Sequence, residues 1–424
     1  MPGRPAERRS LLQASLAPLV HVWRGTTSIL LRYGLLVRTT VLLRLGGGVA
    51  AASSRAMTVS TAGGAGPSAA GAPLPSQQSV QRIAELSHGV DCSCYYSQNF
   101  YVREPIEGHF NFSDVASFSA EHATLLTALT APMRDELLRN LEAEAVRRRS
   151  VVSEAAARKR RVAAEYARLH PALWTLQPER WLHPEFVALV EGARSGAPGW
   201  RPPAQLAPGV YVLPVFSAEF CRLLCDELAH FAASGLPRGR PNSMNRFGAL
   251  LDELGFSPGL LEPLMREWLR PLCARLPPLA AVGGATLDHF KAFTVSYRLG
   301  EDEHLAEHFD NAEVTLNAQL GGTFEAGELL FYGPKESAGG SPLAHHDWAE
   351  GGGAGHAVLH LGGHVHAALP IASGERHNLV VWMRSRAHRR VRGCPMCGET
   401  ANLLETPQQE GGEGPPANAG ASAL

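Results

Sequence analysis

The stretch Glu307–Leu320, EHFDNAEVTLNAQL, decides how this chain folds. Its apolar and β-branched second half reads as a strand, and His308 and Asp310 stand two residues apart at its mouth. Side chains two apart on an extended backbone leave the same face, so an imidazole and a carboxylate can reach one ion there. A third donor follows in Gly362–Trp382, GGHVHAALPIASGERHNLVVW. There His366 ends one apolar segment, and a turn of Pro, Gly and Ser leads to Arg376 at the head of the next. His366 lies 56 positions after Asp310 and Arg376 ten after His366 (366 − 310 and 376 − 366). A barrel can bring the four together.

Two imidazoles and one carboxylate on one face leave three coordination positions open, the arrangement of non-haem Fe(II) oxygenases. A keto-acid co-substrate takes two of these positions and dioxygen the third. The far carboxylate of such a co-substrate needs a permanent, planar, bidentate cation, which Arg supplies better than Lys. Arg376 fits that role. An isolated His-x-Asp occurs often by chance; its combination with a distal His, a spaced Arg and a closing apolar strand is far more specific.

Several other side chains rival these residues. His345 and Asp347 form a second His-x-Asp, but they lie in a Gly-rich loop, Ser337–Gly355, where the reading expects no strand and a solvated insertion. His364 shares the parity of His366 and is expected behind the ligands, and His304 is expected to be exposed. Tyr297 can donate its hydroxyl to the co-substrate or simply pack in the core. Thr315 and Asn317 are in phase with Phe309 and Glu313 rather than with Asp310, so parity alone does not place them inside; Asn317 is kept as a pocket candidate.

Outward from this stretch, FKAFTVSY, EVTLNAQL, ELLFYG, AVLHLG and NLVVWMR are short segments of β-branched and aromatic residues separated by Gly, Pro and Asp, as in an antiparallel barrel or jelly roll. Before them, YVLPVF reads as a strand and Ser217 as the N-cap of a helix AEFCRLLCDELAHFAA. Pro263 and Pro271 should break the helix that begins near Ser257. Arg134–Leu169 lacks Gly and Pro and is dense in Ala, Leu, Glu and Arg, which predicts one long helix or two. Its basic runs, interspersed with Glu, are expected to form a solvated face rather than a nucleic-acid surface.

The expected class is therefore α+β: a leader and linker over 1–82, a helical N-terminal region over 83–200, a barrel domain over 209–390 with its strands at about 285–386, and a CxxC segment and tail over 391–424. A formal net charge of −1 gives no global field to gather nucleic acid or an anionic membrane. The leader carries Arg4, Arg8, Arg9, Arg24, Arg32, Arg38, Arg44 and Arg55 against one acid, Glu7. Its apolar run Thr27–Ala51 is interrupted by three of these arginines, so no membrane span is expected. The leader has the character of an organelle transit peptide, with Met57 as an alternative start. Seven cysteines, odd in number and scattered, favour an intracellular, reducing setting.

The C-terminal half resembles the prolyl 4-hydroxylase α-subunit-like and lysyl hydroxylase branch of the Fe(II)/2-oxoglutarate dioxygenases, whose pattern joins His-x-Asp to a distal His and a basic residue ten positions on. GRPNSMNRFGALLDELGF, HFDNAEVTLNAQLG, GERHNLVVWMRS and CPMC carry a closer likeness from about Val90 to about Leu404. The resemblance implies a double-stranded β-helix, with iron on His308, Asp310 and His366, 2-oxoglutarate on Arg376, and stimulation by L-ascorbate. It implies hydroxylation with release of succinate and CO2, of a protein Pro or Lys side chain by analogy, a small metabolite being the alternative substrate. A catalytically silent iron-binding sensor or scaffold is the rival from another class.

The cysteines near the two ends give a second, independent reading. Cys92-Ser-Cys94 and Cys394-Pro-Met-Cys397, the latter flanked by Gly393 and Gly398, can be two halves of one structural zinc site or unligated surface thiol pairs.

Overall fold

The computed structural model describes residues 91–335 and 340–404. The leader and linker readings, the targeting reading and the tail after Thr406 lie outside the described residues. The chain divides into two compact units, the smaller described over 99–143 and the larger over 91–98 and the described residues from 144 onward.

In the smaller unit, β1 (Phe100–Val102) and β2 (Gly108–Phe110) pair antiparallel with Phe100 opposite Phe110. Asp114 caps α1 (Val115–Glu121) by accepting from the Ser117 amide at 2.9 Å. The rings of Phe110 and Phe112 each lie 5.8 Å from that of Phe118, and α2 (Ala123–Ala128) follows. The helix α3 (Ala131–Glu165) is one long helix rather than two, and it runs on into the larger unit.

The basic run of α3 is only in part the solvated face expected from its sequence: Arg149, Arg160 and Arg161 are exposed, while others turn inward. Arg148 is buried, its guanidinium bonding Glu144 and the Gln98 carbonyl at 2.9 and 2.7 Å. Arg158 pairs with Glu253 at 2.9 Å and Lys159 with Asp252 at 2.8 Å. These charges hold the helix to the fold, since buried cations demand such partners.

The larger unit holds two antiparallel sheets. The large one runs β3 (Ala204–Ala207), β4 (Val210–Pro214), β12 (His356–Leu361), β8 (Val314–Gly321), β14 (Ile371–Arg384), β6 (His289–Arg298), β5 (Gly248–Leu250), with β9 (Phe324–Ala326) also on β14. The small one runs β11 (Ala344–His346), β10 (Leu329–Pro334), β13 (His364–Ala368), β7 (Leu305–His308). The class is α+β with a jelly-roll core. On β8, Val314, Leu316, Ala318 and Leu320 enter the main apolar core, shared with α4 (Pro184–Ser195) and α5 (Ala218–Ala233), while Thr315 and Asn317 face the other way. The Ser217 hydroxyl caps α5 by accepting from the Phe220 amide at 3.1 Å, as the sequence signal requires. Around Pro263 and Pro271 the chain breaks into two π-helical segments, Ser257–Leu261 and Leu264–Leu269, and a short helix, Arg270–Arg275.

Asp91 braces the end of the barrel. Its carboxylate lies between Arg389, on α6 (Arg386–Arg392), and Arg384, 3.7 Å away. Burial alone would raise its pKa; Arg384 and Arg389 overcome this and hold the carboxyl well below its usual range. Arg389 also bonds Glu313 at 2.9 Å, and the Arg384 guanidinium donates to the Asn311 carbonyl at 2.7 Å. Both contacts fall on the turn that leads from Asp310 into β8.

Candidate active site

His308 and Asp310 do not share a strand, contrary to the sequence reading. His308 ends β7 of the small sheet, and Asp310 lies in the turn that crosses to β8 of the large one, its amide donating to the Gly362 carbonyl at 2.8 Å. The third residue arrives by register: antiparallel pairing of β13 with β7 sets His366 directly opposite His308. The ligand atoms of His308, Asp310 and His366 lie within 4.8 Å of one another. The imidazole Nε2 atoms stand 3.7 Å (His308) and 3.8 Å (His366) from the Asp310 carboxylate.

The tautomers follow from the backbone. His308 Nδ1 lies 2.7 Å from the Ala306 carbonyl and His366 Nδ1 lies 2.9 Å from the His364 carbonyl. A carbonyl only accepts, so each Nδ1 carries the proton and each Nε2 presents a bare lone pair toward Asp310. Burial lowers both imidazole pKa values to about 4, which keeps them neutral near pH 7. Burial likewise raises the Asp310 pKa, against His308 and the Thr315 hydroxyl, which donates to its Oδ2 at 2.6 Å. Two neutral imidazoles and a carboxylate, aimed at one point and steadied from behind, suit a divalent metal.

The cavity beside them, ≈ 400 Å³ counted to its open mouth, is bounded by both sheets, with Phe293, Val295, Leu329 and Val380 among its apolar walls. Tyr297, Thr315 and Asn317 line it too. Parity reckoned from Asp310 fails for Thr315 and Asn317 because the turn between Asp310 and β8 resets it. Asn317 Oδ1 accepts from Asn378 at 2.7 Å.

Arg376 is fully buried on β14, directly opposite Tyr297 on β6. Its guanidinium lies 4.5 Å from the Tyr297 ring centre, with Phe324 at 5.5 Å and Trp348 at 5.7 Å. It also donates to the Gly327 carbonyl. Gly327 has φ +80°, and a Cβ there would come 2.8 Å from Arg376 Nη1, so only glycine fits. Among the described residues no carboxylate reaches ion-pair distance of Arg376, and its Nε has no partner. Burial depresses its pKa against the neighbouring Tyr297 and Glu328, and a cation this deeply buried is suited to an anionic ligand. The cavity wall at this point is Tyr297, and Arg376 lies over its ring.

Other residues escaped the sequence reading. His360, on β12, is fully buried; its Nδ1 donates to the Leu361 carbonyl at 2.9 Å and its unpartnered Nε2 lies 3.9 Å from Asp310. Its only sequence signal is position, since it pairs across the sheet with Thr315. The second His-x-Asp does gain a strand, β11, yet His345 is exposed and Asp347 accepts from the Ala349 amide at 2.8 Å, closing a turn. That segment is not wholly solvated: His346 and Trp348 are buried, and Trp348 is part of the aromatic surround of Arg376. His364 is buried and its carbonyl accepts from His366 Nδ1, and His304 is half-buried rather than exposed.

A jelly roll whose two sheets bring two imidazoles and one carboxylate to a shared cavity is the architecture of the Fe(II)- and 2-oxoglutarate-dependent oxygenases. Within that class, residues 162–281 match the OGFOD2-like domain, a segment that precedes the metal-competent group. The chain is 38% identical over 330 residues to 2-oxoglutarate and iron-dependent oxygenase domain-containing protein 2 of Xenopus tropicalis, covering 74% of this chain and 90% of the relative. It is 39% identical over 324 residues to the Mus musculus protein of that name, again covering 74% and 90%. A solved Pseudomonas putida prolyl-4-hydroxylase aligns at 18% identity with TM-score 0.29, covering 49% of this chain and 98% of that one. The chain belongs to the 2-oxoglutarate and iron-dependent oxygenase domain-containing protein 2 family.

Proposed function

We propose that this chain is a working dioxygenase that hydroxylates a protein side chain, Pro or Lys, with Fe(II) on His308, Asp310 and His366 and 2-oxoglutarate reaching from the metal to Arg376. The observation that carries the reading is the pairing of three converging donors with a fully buried guanidinium whose Nε has no hydrogen-bond partner. Bound there, iron and 2-oxoglutarate supply the oxidising chemistry: O2, 2-oxoglutarate and a substrate C–H give succinate, CO2 and a C–OH. The chain itself supplies position and environment. The Ala306 and His364 carbonyls fix the imidazole tautomers, and Thr315 fixes the carboxylate rotamer. Arg376, with the Tyr297 hydroxyl, takes the distal carboxylate, and the apolar walls keep water from the reacting C–H. L-Ascorbate is the proposed reductant that returns iron to Fe(II).

The test is an anaerobic titration of the full chain with Fe(II) and 2-oxoglutarate, read through the weak visible charge-transfer band of the chelate. A band present in the wild type and absent in His308→Ala supports the reading. Its absence from folded, iron-loaded protein would favour a silent iron-binding scaffold. Succinate release stimulated by Pro- or Lys-containing peptides, with a hydroxyl found on the peptide, tests the substrate class; stimulation by small metabolites alone would refute it.

A further inference from the structure

Away from the cavity, the thiols of Cys92, Cys94, Cys394 and Cys397 form a second group of metal-ligating atoms, all four sulfurs within 4.8 Å of one another. The two halves lie some 300 residues apart in the chain, yet Sγ of Cys92 is 3.6 Å from that of Cys397, and Sγ of Cys94 is 3.8 Å from that of Cys394. Four thiolates placed about 2.3 Å from a tetrahedral ion stand about 3.8 Å from one another. A disulfide requires about 2.05 Å. We propose that these four thiols hold one structural Zn2+, a site separate from the iron site.

The backbone around the sulfurs is arranged for this. Cys92 makes an antiparallel bridge with Leu403, the Ser93 amide donates to the Asn402 carbonyl at 2.9 Å, and the Leu404 amide donates to that of Asp91 at 3.0 Å. These bonds set the CxC half against the CxxC half. Within the CxxC half, the Gly398 amide donates to the Cys394 carbonyl at 2.7 Å, closing a tight turn. Gly393 stands at φ +84°, where a Cβ would lie 2.2 Å from the Gly398 carbonyl oxygen, so no larger residue fits. The Met396 amide donates to Cys394 Sγ at 3.4 Å and the Asn402 side chain to Cys397 Sγ at 3.9 Å. Such donors stabilise metal-bound thiolate.

Charge and surroundings agree. A four-thiolate zinc site carries two net negative charges, and the buried Arg384 and Arg389 lie near enough to Cys394 for their charges to interact. Met396 and Leu403 pack against the thiols. The other three cysteines lie outside any metal-competent group among the described residues. With its four positions filled by protein, the zinc is structural and leaves none for a substrate. It fastens the segment bearing Asp91, and through Arg389 and Glu313 the turn that follows Asp310.

The experiment is elemental analysis of the full chain purified under reducing conditions without added metal, as wild type, Asp310→Ala, Cys221→Ser and Cys394→Ser. We expect one zinc per chain in the first three and background zinc in Cys394→Ser, with Asp310→Ala excluding zinc picked up by the histidines. Cobalt(II) added to chelator-stripped Asp310→Ala should give the intense visible bands of tetrahedral thiolate. Cys394→Ser need not fold for the decision, because the zinc content of Asp310→Ala and its thiol chemistry settle it. Zinc-free Asp310→Ala with four thiols open to alkylation overturns the proposal. So do two disulfides found by mass, or ferric-thiolate absorption showing iron on the cysteines.

Discussion

The larger unit carries two clusters of metal-competent side chains built in opposite ways. His308, Asp310 and His366 are assembled by strand register across the mouth of two sheets, with three donors and space on the cavity side. The four thiols are assembled from the two ends of the described chain, with as many donors as a tetrahedral ion can take. An open set suits chemistry, because substrate must share the metal; a closed set suits architecture. The two should therefore respond differently to the same perturbation, and mutation can separate them.

The largest effect expected is that of His308→Ala: 2-oxoglutarate turnover should fall by on the order of 10³-fold or more, with iron lost and zinc retained. Elemental analysis beside a succinate assay checks this, and zinc lost together with iron would collapse the distinction. Next comes Arg376→Ala, which removes one partner of a buried charge pair and should cost roughly 2 to 5 kcal/mol in 2-oxoglutarate affinity. Titration calorimetry of the iron-loaded protein should show that loss without change in either metal. Unchanged affinity would remove Arg376 as the anchor.

A third expectation concerns pH without iron. His308 and His366 have pKa values depressed to about 4 by burial, so between about 6.5 and 4 the unfolded chain binds more protons than the folded one. Stability is then fullest above pH 6.5 and declines as pH falls toward 4, by on the order of 3 kcal/mol for each imidazole at the limit. Denaturant melts across that range should show the decline, and His308→Asn should make it shallower. The smallest effect is that of Thr315→Val, which strips Asp310 of its hydroxyl donor and should weaken iron about 10- to 100-fold. An iron-binding isotherm reads it, and zinc content should not move.

The comparison also explains what could be read from the sequence. His308, Asp310, His366 and Arg376 could be singled out because their spacing mirrors a rigid geometry, and the strands because β-branched segments alternate with turn residues. The burial of Arg148 was hidden because a charged helix looks alike whether its cations meet water or carboxylates. Thr315 was hidden because parity does not pass through the turn at Asp310. His360 was hidden because its role depends on register between β12 and β8, which no local pattern encodes. The two cysteine pairs were visible as pairs, while their meeting depends on backbone pairing between residues 92 and 403.

The place of β14 in the large sheet has a consequence for how the protein is made. This strand lies between β8 and β6, yet it follows both in the chain. A ribosome therefore releases β6 and β8 with their inner edges unpaired, and the central gap stays open until residues 371–384 emerge. The four-thiol cluster cannot assemble earlier, since Cys394 comes just after that strand. A nascent chain with this topology cannot close its barrel from the N-terminus forward. It must be shielded until late in synthesis, and premature termination anywhere before β14 would leave an adhesive half-sheet rather than a smaller working protein.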